Sequence, residues 1–97
     1  MKRIVLLPGQ LYVGRDVDQI STILGSCVSV ILWYPKKKIV TMCHYVLPGK
    51  SEQYLKQKNC RYAIDALDTM LDGIRKYGAQ LQEYKVCVRW RRVHQDM

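Results

Sequence analysis

No stretch of this chain comes near the ~20 consecutive apolar residues that a membrane-spanning helix requires. The basic start, Met1-Lys2-Arg3, is followed by an apolar stretch only at residues 4–7 before Pro8-Gly9, against the ~7–15 apolar residues of a secretory signal. No internal repeat, low-complexity tract or linker interrupts the 97 residues. Paired Cys-x-x-Cys is missing as well. Cys27, Cys43, Cys60 and Cys87 stand singly, and a structural zinc site has little to build on. Together these absences lead us to expect one cytoplasmic domain with reduced thiols, no metal and no cofactor.

Acidic residues are scarce, eight against sixteen Lys and Arg, for a net charge of +8. Such a surplus invites a nucleic-acid or anionic-membrane reading. Its distribution argues otherwise, because residues 1–84 carry only +5 and residues 85–92 add four basic groups with no acid. Aromatic side chains are not interleaved with the basic ones as a base-stacking platform would need. We therefore expect no nucleic-acid partner and no membrane insertion. The other cluster, Lys36-Lys37-Lys38 after Pro35, reads as a solvated turn.

What is present is ordinary for a globular protein: 48% hydrophobic and 25% charged residues. Residues 3–7 and 20–24 read as strands, with residues 8–19 as an irregular connection between them. Residues 27–34 and 39–47 are β-branched and aromatic, again favouring strand. Residues 50–58 are polar and loop-like. A helix follows over residues 60–77, with Asn59 as its cap and Gly78 in the left-handed position that ends it. Ala63, Ile64, Leu67, Met70, Leu71, Ile74 and Tyr77 make its apolar stripe, and Asp65, Asp68 and Asp72 its wet face.

The two runs around residues 35–38 predict a β-hairpin. A four-residue loop pairs Tyr34 with Ile39, so Ser29 faces His44 and Cys27 faces Val46. Alternation then puts Cys27, Ser29 and His44 on one face, with Cys43 on the other, opposite Val30. His44 becomes a diagonal neighbour of Cys27, about 7–8 Å away between backbones. A slip of one residue would destroy the arrangement. The pairing matters chemically, because a neighbouring imidazole activates a thiol as nucleophile towards an acyl carbon. Gly25-Ser26 just before Cys27 permits a tight turn whose amides point at a developing oxyanion. The bland alternative is a core cysteine at a strand end and an ordinary histidine.

The run Ile20-Ser21-Thr22-Ile23-Leu24-Gly25-Ser26-Cys27-Val28-Ser29-Val30, followed by Trp33-Tyr34-Pro35, resembles the nucleophile segment of the chemoreceptor glutamine deamidases, the CheD family. The likeness continues through Met42-Cys43-His44-Tyr45-Val46-Leu47-Pro48, and again at Arg61-Tyr62-Ala63, Ala66-Leu67 and Gly78-Ala79. It covers nearly all of residues 3–86. The resemblance implies an α/β (α+β) fold, a β-sandwich flanked by helices. It also implies hydrolysis of selected glutamine side chains on bacterial chemoreceptors to glutamate, with release of ammonia. Cys27 would form a thioester and His44 would move the protons. The family's third catalytic residue, a threonine, falls on Ser21 without a gap, with Thr22 adjacent, and either hydroxyl could orient His44. Gly25 and Ser26 would serve the oxyanion. The implied partners are the cytoplasmic helices of methyl-accepting receptors and a further chemotaxis regulator, with Lys36–Lys38 aiding encounter with an acidic receptor surface.

The chain departs from the family at its end, where a strand leading to Phe-Gly-Gly is expected and Val88-Arg89-Trp90-Arg91-Arg92-Val93 stands. Written in one set of codons as GTT CGG TGG CGG CGG GTA, these residues read one nucleotide later as Phe-Gly-Gly-Gly-Gly. The expectation is that residues 1–87 form the N-terminal part of a deamidase domain and residues 88–97 an atypical basic, frameshifted tail. On that view the fold is incomplete at its C-terminal end, with sheet edges left open. A catalytically inactive relative that still binds receptors is the rival.

Overall fold

The computed structural model describes residues 2–22, 27–78, 80–89 and 93–96, the last four by backbone alone. Seven strands and one α-helix follow in the order β1 (Arg3–Leu6), β2 (Leu11–Arg15), β3 (Gln19–Thr22), β4 (Val28–Tyr34), β5 (Ile39–Tyr45), α1 (Ala63–Arg75), β6 (Lys85–Arg89) and β7 (Val93–Asp96). They form two sheets, β1-β3-β7 and β2-β5-β4-β6. The fold is α+β, as the sequence implies.

The centre is the β4–β5 hairpin. Tyr34 pairs with Ile39, Trp33 with Val40 and Ser29 with His44, the register expected from loop length. Pro35–Lys37 close the loop as a turn of 3-10 helix, and Lys38 takes a left-handed φ of 52°. Alternation along the hairpin then makes two cores, one on each face. On the outer face Val30, Leu32, Ile39 and Cys43 pack against Ala66, Met70 and Ile74 of α1. On the inner face Ile31, Val40 and Met42 pack against Leu6, Val17 and Ile20, from β1, β3 and the segment between β2 and β3. Three layers result: small sheet, large sheet, helix.

Helix α1 lies over β5 and β2. Gly73 allows this approach, since a Cβ there would stand 2.6 Å from Val13 Cγ2. The opposite end of the large sheet is left open. Val86 and Val88 pair with Leu32 and Val30 yet are 62% and 44% exposed. Strand β6 also runs through Arg89, across the boundary expected at residue 87, and the backbone of β7 pairs antiparallel with β3.

Three expectations need correction. Residues 8–19 are not irregular throughout, because residues 11–15 form β2 on the edge of β5; Gly14, Asp16 and Asp18 masked the short apolar run Leu11-Tyr12-Val13. The helix starts at Ala63, not Cys60, and Asn59 does not cap it. Its Oδ1 instead accepts the Arg61 amide at 3.1 Å in a local turn. Asp65 is not on the wet face. It is buried and accepts from the Ser51 amide at 3.0 Å, the Ser51 hydroxyl at 2.5 Å and the Asn59 amide at 2.8 Å. Burial alone would raise its pKa, but these three hydrogen bonds, with Lys58 nearby, hold it below the ordinary 3.8. Asp65 thus ties the 51–59 loop to the helix.

Candidate active site

The inner core turns polar at one end of the large sheet. There β5 delivers His44, the small sheet delivers Thr22 at the end of β3, and Cys27 immediately precedes β4. His44 is 1% exposed and Thr22 2%. Thr22 Oγ1 lies 2.9 Å from His44 Nδ1 and 2.8 Å from the carbonyl oxygen of Leu6, its partner on β1. A carbonyl only accepts, so the hydroxyl spends its one proton on Leu6 and must accept from His44. Proton counting therefore places the hydrogen on Nδ1 and leaves a lone pair on Nε2. That nitrogen is buried with no hydrogen-bond partner among the described residues. Burial lowers the pKa of His44 below 6.5, favouring the neutral ring.

The backbone of His44 is fixed from the side of β2. Gly9 N–H donates to the His44 carbonyl at 2.8 Å, and His44 N–H donates to the Gln10 carbonyl at 3.2 Å. Gly9 has a φ of 82°, a conformation that favours glycine. Sequence reading missed this anchor, although Pro8-Gly9 was the signal for a turn. Ser29, directly opposite His44, is committed elsewhere, since its hydroxyl donates to the Cys43 carbonyl at 2.8 Å.

Cys27 is half-buried and packs against the inner cluster, on the side of the sheet where His44 lies. Of the two hydroxyls left open by the sequence, Thr22 is the one bonded to the ring. Ser21 is half-buried, and as the preceding residue of β3 it faces the other way. Gly25 and Ser26 lie outside the described residues. Cys43 sits opposite Val30 on the outer face, where burial pushes its thiol up to about 12. Lys36–Lys38 are exposed, but at the far end of the hairpin. The five steps from Ile39 to His44 span about 17 Å.

The fold and this corner define a two-sheet α+β protein with a buried, tautomer-fixed histidine and a cysteine on the same face. Comparison with known proteins shows what the chain is similar to. The chain is 34% identical over 85 residues to a probable chemoreceptor glutamine deamidase CheD 3 of Dechloromonas aromatica, covering 88% of this chain and 50% of that one. It is 34% identical over 83 residues to a probable chemoreceptor glutamine deamidase CheD of Pseudomonas fluorescens, covering 86% and 46%. A probable CheD 1 of Chromobacterium violaceum is 37% identical over 82 residues, covering 84% and 42%. No protein-family model matches. The chain is similar to these probable CheD chemoreceptor glutamine deamidases over most of its own length, and it spans about half the length of these curated relatives. Among the described residues, no helix is long and apolar enough to cross a membrane.

Proposed function

We propose that the chain carries the nucleophile-bearing part of a deamidase that converts glutamine side chains of bacterial chemoreceptors to glutamate in the cytoplasm. Cys27 is the nucleophile, His44 the general base and acid, and Thr22 the residue that positions His44. The observation that carries the reading is the fixed His44 ring: Nδ1–H is held by Thr22, so Nε2 is the basic atom, on the face that also bears Cys27.

In this reaction the Cys27 thiol proton passes to Nε2 and the sulfur attacks the glutamine carboxamide carbon. Backbone amides near Gly25 and Ser26 stabilise the oxyanion. The tetrahedral adduct collapses as Nε2–H protonates the departing nitrogen, giving ammonia and a glutamyl thioester. Water then gives a proton to Nε2 and adds to the thioester, and collapse releases glutamate and restores the thiol. Net, one water is consumed and one ammonia released per glutamine. The lowered pKa of His44 suits the base role, because the ring stays neutral at neutral pH.

The test is mass spectrometry of a receptor cytoplasmic fragment incubated with the chain, beside a Cys27→Ala control. An amide-to-acid mass gain at defined glutamines, absent from the control, is the expected result. Absence of the gain from a chain that circular dichroism shows to be folded would sink the reading and leave the receptor-binding module in its place.

A further inference from the structure

Among the cations of the chain, Arg61 is placed in a way that the chemistry above does not use. Its carbonyl accepts the amides of both Val46 and Leu47 at 2.8 Å, just after β5 has delivered His44. Its side chain lies across Gly9, where a Cβ would stand 2.7 Å from Arg61 Cγ and 3.3 Å from Nε. Gly9 in turn donates its amide to the His44 carbonyl. Arg61 is therefore fixed to the end of the sheet that carries the site, from two directions.

Its neighbours in the 50–61 loop are committed differently. Lys58 stands 3.9 Å from Asp68 and over the ring of Tyr54, and Lys50 also faces that ring at 5.4 Å. Arg61 is exposed and makes no ion pair among the described residues. Beside Gly9, a groove of about 640 Å³ is lined by Ser51, Asn59, Cys60 and Tyr62, with Lys58 and Glu52 adding one charge of each sign. The Asp65 hydrogen bonds to Ser51 and Asn59 hold this wall in place. The lysines of the hairpin turn lie at the other end of the sheet. Two exposed arginines stand at the site's own end: Arg89 on β6, paired with Ser29 and donating Nη1 to the Val88 carbonyl at 3.1 Å, and Arg61.

We propose that Arg61 is a specificity-determining residue that takes a carboxylate of the substrate segment near the target glutamine. This rests on the deamidase reading and adds to it a substrate preference. A planar guanidinium fork matches a carboxylate in a way an ammonium does not. The chemistry also supplies the ligand, because each turnover converts an amide into a carboxylate. A segment with several glutamines would thus become a better substrate after its first deamidation.

The experiment uses a chemoreceptor cytoplasmic fragment in two forms, one with glutamine at every target position and one with glutamate at all but one. Deamidation of the shared glutamine is followed by mass spectrometry, and binding of both forms to the Cys27→Ala chain is measured in parallel. An exposed pair of this kind is worth roughly a 2- to 5-fold preference for the acidic form, expressed mainly in KM and diminished by salt. Arg61→Gln should bring the ratio to about one in both assays, with Arg61→Lys between. A preference that survives Arg61→Gln, or no preference in wild-type binding, overturns the proposal. Binding preference without deamidation of either form would instead overturn the deamidase reading while leaving Arg61 as a carboxylate site.

Discussion

Cys43 and His44 are adjacent in β5, and they live in two different chemistries. Cys43 faces the helix, in a cluster with Val30, Met70 and Ile74 that offers its thiol no ionic partner, and burial pushes its pKa to about 12. His44 faces the small sheet and is just as buried, but a hydroxyl from another strand fixes its proton. Burial therefore silences one group and prepares the other. The difference lies in the side-chain hydroxyl that Thr22 brings to His44. The same contrast separates the two thiols of the hairpin, Cys43 sealed in the outer core and Cys27 half-buried at the edge of the inner one.

The sharpest way to break the contrast is to remove the ring. His44→Ala should lower deamidation by roughly 10²–10⁴-fold, the usual worth of general acid–base catalysis, while Cys43→Ala changes the rate only a few-fold; single-turnover rates on the receptor fragment check both. The outer face should answer in stability instead. Met70→Ala, at a fully buried position, should cost about 2–5 kcal/mol in urea unfolding, more than any substitution at the polar corner. Thr22→Val should leave the fold standing but reduce kcat by roughly 10- to 100-fold, because the ring loses the group that orients it. Thr22→Ser should restore most of that loss, and a rate equal to wild type in Thr22→Val would remove Thr22 from the reading.

The smallest effects concern pH, and they separate the two faces by window. His44 has its folded pKa below 6.5, so the unfolded chain binds the proton more tightly. Its contribution is whole above pH 6.5 and declines as pH falls from there towards the folded value. Asp65 also has a depressed pKa, so its contribution is whole above 3.8 and is lost as pH falls through its folded value. Unfolding midpoints against pH should therefore show a first decline that His44→Gln removes and a later one that Asp65→Asn removes. A single decline untouched by either variant would contradict this assignment.

Much of this was legible in residue order. The hairpin register followed from Pro35 and a four-residue loop, and it alone placed Cys27 and His44 on one face and Cys43 on the other. Alternation is a local property, so local sequence carries it. What escaped was non-local. The choice between Ser21 and Thr22 depends on how the small sheet stacks on the large one, and no spacing within residues 20–27 reveals that. Asp65 looked solvated because helical periodicity cannot register a loop folding back to supply three donors. Arg61 looked like one cation among sixteen until Gly9 and the end of β5 gave it a fixed place.

The most direct measurement is iodoacetamide labelling of the folded chain, mapped to individual cysteines by peptide mass spectrometry, in wild type and His44→Ala. The account predicts that Cys27 reacts well before Cys43, and that loss of the imidazole slows Cys27 while leaving Cys43 as slow as before. Equal labelling of the two thiols in the folded protein, or a Cys27 rate indifferent to His44, would contradict it.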